Sequence, residues 1–131
     1  MRRAAAAVLV LLAACGRGGS TPAGARLESA LGRYAVVVET RPSPVPLNQP
    51  FDAVLRVTPR TPTSAPLAVE VDARMPEHFH GMNTAARTTR QPDGTFKAEG
   101  LLLHMPGRWE LYVDVTEGPR TERAQMEILL K

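Results

Sequence analysis

The 131-residue sequence predicts an all-β chain folded as an immunoglobulin-like antiparallel β-sandwich of about seven strands. Two observations carry that prediction. From Tyr34 onward apolar residues recur at every second position, the period of a strand with one buried face. Clusters of proline and glycine interrupt the alternation at short intervals, and no stretch keeps helical spacing for three turns.

Before the first strand the chain reads as export machinery. Met1-Arg2-Arg3 is basic, and the apolar run from Ala4 to Ala14 is too short to span a bilayer, the pattern of a cleaved secretory leader over residues 1–14. Leu12-Ala13-Ala14-Cys15 resembles a bacterial lipobox, so Cys15 is the candidate lipidation site and the first residue of the mature chain. The alternative is a plain leader with an incidental thiol. Residues 15–31 are expected to form a lipid-anchored linker, flexible over the glycine-rich 16–25, with a weak turn or helix signal from Arg26 to Leu31. Residues 32–131 form the predicted domain. A single cysteine permits no internal disulfide, so the domain rests on its core.

Within the domain, Tyr34, Val36 and Val38 alternate with Ala35, Val37 and Glu39 until the prolines at 42, 44 and 46 end the strand. Phe51, Ala53, Leu55 and Val57 share one face of the second strand. Leu67, Val69, Val71 and Ala73 share the inward face of the third, and Met75 continues that parity. Ala85 to Gln91 reads as a short polar strand, turned at Pro92-Asp93-Gly94 into a strand from Thr95 to Leu103, with a bulge expected at Gly100. Trp109 to Val115 and Ala124 to Leu130 supply the last two strands, joined at Glu117-Gly118-Pro119. If successive strands run antiparallel, the first, third and fifth connections gather at one end.

The third and fifth connections hold every histidine of the chain: Met75-Pro76-Glu77-His78-Phe79-His80-Gly81-Met82 and His104-Met105-Pro106-Gly107. In an extended segment the spacing of His78, His80 and Met82 sends all three side chains to one side. Imidazole and thioether donors without cysteine suit copper, and thioether sulfur favours Cu(I). The candidate metal ligands are therefore His78, His80, Met82 and His104, with Met75 and Met105 as further candidates that read more readily as core plugs. Glu77 is either a partner to a ligand or an exposed charge, Phe79 either a rim contact or part of an apolar lid, and Trp109 a core residue.

The combination of Met75-Pro76, His80-Gly81-Met82, Asp93-Gly94-Thr95-Phe96 and Met105-Pro106-Gly107-Arg108-Trp109-Glu110-Leu111 resembles the YtkA-like and FixH-like domains of exported bacterial proteins, over about residues 34 to 130. The resemblance implies an immunoglobulin-like sandwich outside the cytoplasm, in a group often linked to copper handling or oxidase assembly. This chain has a lipobox where FixH-like members have a transmembrane helix.

Charge excludes one class of partner. Of 16 basic side chains Arg2 and Arg3 belong to the leader, leaving 14 against 13 acidic ones, which gives no footprint for nucleic acid. No nucleophile elbow or distinguished carboxylate pair is present, and Ser43 and Ser64 lie in proline-rich loops, so no enzyme is expected. The expected function is a lipid-anchored binding protein of the cell envelope, facing the periplasm or exterior, held to the membrane through Cys15, with copper as cofactor and a metalloprotein or membrane protein as partner. The alternative is a non-catalytic structural or interaction module that takes no metal.

Overall fold

A computed structural model describes residues 24–131; the expected leader, Cys15 and the first part of the linker lie outside the described residues. The described chain is an all-β sandwich of two antiparallel sheets. Its strands are β1 (Ala25–Glu28), β2 (Tyr34–Arg41), β3 (Phe51–Pro59), β4 (Leu67–Met75), β5 (His80–Gly81), β6 (Arg87–Arg90), β7 (Phe96–Leu101), β8 (Gly107–Glu117) and β9 (Arg120–Leu130). One sheet has the order β1-β2-β3-β7-β6 and the other β5-β4-β8-β9.

The seven expected strands are all present, and two short ones join them. Ala25–Glu28 pairs antiparallel with β2, Ala25 opposite Val38, where the sequence suggests linker with a weak turn or helix. The sandwich therefore begins before residue 32. Four residues of alternation are too few to stand out in a sequence, and the neighbouring edge of β2 is what makes them a strand. His80–Gly81 is the second addition, paired with the last two residues of β4.

The period-two alternation translates directly into burial. Val36, Val38, Phe51, Ala53, Leu55, Phe96, Ala98 and Leu101 face Val69, Val71, Ala73, Trp109, Leu111, Val113 and Val115 across the sandwich, all buried. The same parity takes one acid inside. Glu122 occupies an inward position of β9, where Ser29 Oγ donates to it at 2.6 Å and Arg33 Nε approaches at 3.0 Å. Ser29 Oγ in turn accepts from the Tyr34 N–H at 3.0 Å, so this network ties the β1–β2 connection to the opposite sheet.

The bulge expected at Gly100 is found. Phe51 pairs with Leu101 and Ala53 with Ala98, which leaves one residue extra on β7, and Gly100 has φ +83°. The β2–β3, β4–β5 and β7–β8 connections lie at the same end, as strand counting predicts. Asn48 N–H donates to Leu103 O at 2.9 Å, which joins the β2–β3 and β7–β8 connections, and the segment that follows β5 is held to β7 and its connection by Leu102 N–H to Met82 Sδ at 3.5 Å and Thr84 Oγ1 to Gly100 O at 2.9 Å. Because β1 runs antiparallel to β2, the chain also enters the sandwich near this end.

Candidate functional site

The rim is built from the end of β4. Met75 follows the inward parity of its strand and is 1% exposed, so the core reading of this residue holds and it is not presented as a ligand. Pro76 then stops the ladder, because it has no N–H to donate. Pro76–His78 forms one 3-10 turn, closed by the Phe79 N–H donating to Pro76 O at 3.3 Å, and Phe79 takes a left-handed conformation at φ +54°. The extended geometry expected for His78 through Met82 is thus corrected. A turn preset by proline replaces the first half of the strand, and His78 is left exposed on it.

The chain returns to the sheet at His80. His80 lies directly opposite Met75 in the β4–β5 ladder, and cross-strand neighbours point to the same face. Its imidazole is thereby turned inward and half-buried, at the mouth of the core. Met82 N–H donates to Ala73 O at 3.2 Å, which holds this return in register.

His104 arrives from the other side. Leu103 is fully buried and anchors the β7–β8 connection, and His104 follows it onto the rim. The His80 and His104 ring centroids are 5.3 Å apart. Both rings stand against the fully buried Trp109 indole, at 5.9 Å for His80 and 5.5 Å for His104, in edge-to-face arrangements. Trp109 is a core residue, as expected, and it is also the floor of the site, a role that spacing alone could not reveal. Its indole N–H donates to Met105 O at 2.9 Å, which fixes the loop carrying His104.

The imidazole nitrogens are the most informative atoms of the rim. His80 Nδ1 lies 3.3 Å from His78 O, and a carbonyl can only accept, so Nδ1 carries the proton in the neutral ring. Nε2 is then left with a free lone pair. His80 Nε2 and His104 Nδ1 are both buried and have no hydrogen-bond partner among the described residues. Leaving such a buried polar atom unpaired costs about 1–3 kcal/mol. Two imidazoles sharing one cation at metal–nitrogen distances near 2 Å have centroids roughly 5–6 Å apart, a range that includes the 5.3 Å seen here.

The remaining candidates take distinct places. His78 is 5.8 Å from His80 by centroid and exposed, and among the described residues no three His, Cys, Asp or Glu side chains gather into one metal-holding group. The three histidines therefore do not form a single cluster. Met82 and Met105 are partly buried against the core, and Met82 Sδ accepts the long bond from Leu102. Phe79 is 97% exposed and covers nothing, so it is no lid. Glu77 is exposed and bound to Arg108 at 3.2 Å. Ser64 donates through both N–H and Oγ to Glu117, at 2.6 and 3.0 Å. No family model, curated protein or solved structure matches the chain.

Proposed function

We propose that this chain is a lipid-anchored copper-binding protein of the bacterial cell envelope, acting in metal handling or metalloprotein assembly. One observation carries the metal reading: two buried imidazole nitrogens without a partner among the described residues, on rings 5.3 Å apart. Neutral imidazole and thioether are the donors that copper sites use. The likeness of the Met-Pro and Met-Pro-Gly-x-Trp segments to YtkA-like and FixH-like domains points the same way, and the Leu-Ala-Ala-Cys run supports attachment through Cys15. His80 and His104 would hold the metal directly, Met82 and Met105, close to them in sequence, would be the candidate sulfur donors, and His78 would stand outside as an accessory imidazole. Bound copper would supply a soft, exchangeable cation for delivery to a membrane protein or metalloprotein.

Titration of the purified chain with copper under thermal unfolding tests this. At a hundredfold excess over Kd, binding to the native state alone stabilises by about 2.7 kcal/mol, a shift of about 10 °C for a domain of this size. The shift should vanish when His80, His104 and Met82 are all replaced by alanine. Melting unchanged by copper would instead favour the second reading, a structural or interaction module, which the burial of Met75 and Trp109 and the Trp109–Met105 hydrogen bond support independently.

A further inference from the structure

Resting on the copper reading, we infer that the site is built for a monovalent ion and selects Cu(I) over Cu(II) and Zn(II). What sets the selectivity is where the negative charge lies, as well as the donors themselves. His80 turns Nδ1 toward His78 O, which leaves the unpartnered Nε2 as its ligating nitrogen. His104 presents an unpartnered Nδ1, and the candidate sulfur donors, Met82 two residues from His80 and Met105 next to His104 in sequence, are uncharged. None of these four side chains brings a negative charge.

The carboxylates that could compensate a second positive charge are engaged elsewhere. Glu77, beside His78 in sequence, accepts from Arg108 Nε at 3.2 Å. Glu110 accepts from Tyr112 Oη at 2.7 Å and from Arg108 Nη1 at 3.0 Å, and these bonds, the tyrosine's first, hold its carboxyl below the ordinary value. Arg108 also reaches Glu127 at 3.4 Å, so one guanidinium keeps three acids on the outer surface of the second sheet. A cation between His80 and His104 would thus sit half-buried over an indole with no anionic ligand.

Desolvation cost rises with the square of the charge, so a divalent ion in an all-neutral shell loses much more than a monovalent one. Cu(I) is also the ion for which thioethers are preferred ligands and for which few donors suffice. Zn(II) sites, by contrast, draw on four ligands that commonly include thiolate or carboxylate.

The test uses the full chain and four probes: Cu(I) under reducing, anaerobic conditions, Ag(I), Cu(II) and Zn(II). Trp109 is the only tryptophan, and it lies against both imidazoles, so its fluorescence reports occupancy, with chelator competition giving affinity. Cu(I) and Ag(I) should bind at about one equivalent, with Cu(II) and Zn(II) at least about a hundredfold weaker. His80→Gln and His104→Gln should each weaken Cu(I) by more than about tenfold. Glu77→Gln, which touches no proposed ligand, should change every affinity by less than about twofold. Should a histidine variant misfold, Met82→Leu provides a second arm, expected to weaken Cu(I) while leaving Zn(II) unchanged. Zn(II) or Cu(II) binding as tight as Cu(I) overturns the monovalent inference and leaves copper binding standing. Failure of Cu(I) and Cu(II) alike to bind overturns both.

Discussion

Gly107 opens β8 directly beneath the rim, with φ +121°, and a Cβ built on it would come within 2.9 Å of Met75 Cε. Gly107→Ala therefore meets two separable penalties. A side chain held in that backbone region costs about 1–3 kcal/mol. Displacing a packed methionine adds an overpacking cost of about 1–3 kcal/mol, at the low end because the colliding atom is the far end of a flexible chain. Together they predict a loss of about 2–4 kcal/mol, or a fall in Tm of about 8–20 °C. Met75→Ala alone should cost about 2–5 kcal/mol through the cavity it leaves. In the double variant the collision is absent, because the methionine atom that the added methyl group would strike is gone. The two losses should then sum to more than the double variant shows, by about 1–2 kcal/mol. Urea unfolding of the four proteins, followed by circular dichroism, measures the difference. Additive losses would refute the contact as the second penalty, and an unchanged Gly107→Ala would refute both.

Further expectations concern other parts of the molecule. Ser29→Ala removes a donor to buried Glu122 and the acceptor for the Tyr34 N–H, and should cost about 1–3 kcal/mol in urea unfolding; a loss within error would show that the network is dispensable. The Tyr34 phenol is pushed up to about 12, first by its hydrogen bond to Glu117 at 2.5 Å and then by burial. Since the folded value is raised above the ordinary 10.0, this contribution is full below pH 10.0 and is lost as the pH rises through about 12. An absorbance titration should show one tyrosine ionising near 12, and Tyr34→Phe should remove that step; ionisation of both tyrosines near the ordinary value would contradict the assignment. His78→Ala should leave equilibrium copper affinity within about twofold, since His78 is exposed on the turn, yet slow copper exchange with an external chelator in stopped flow. A large affinity loss would instead make His78 a full ligand.

The sandwich was legible because its evidence is local. Each strand from Tyr34 onward declares its buried face through alternation, and Val69, Val71, Ala73 and Met75 lie inside as their parity requires. β1 was not legible, since Ala25–Glu28 carries little pattern of its own and becomes a strand only against β2. At the rim, counting connections brought His80 and His104 to one end, where their rings meet. What counting could not supply was the consequence of Pro76, which puts His78 on a turn and leaves His80 to be aimed by its pairing with Met75. Nor could it show that Trp109 would underlie both imidazoles. Contacts of that kind join residues distant in sequence and leave no periodic trace.

The direction in which β1 enters has a bearing on where the rim is encountered. Ala25 starts opposite Val38, close to the end of β2 that leads into the rim loops, so the polypeptide reaches the sandwich from the histidine side. Nine residues, 16–24, separate Cys15 from that strand, a contour of about 35 Å at most. With an acyl chain on Cys15, the imidazole pair would lie within a short radius of the bilayer surface. Its effective concentration would then be high for proteins embedded in the same membrane and low for those diffusing freely beyond it. Inserting residues between Cys15 and β1, with every ligand untouched, would be the way to separate what the site can bind from whom it can serve.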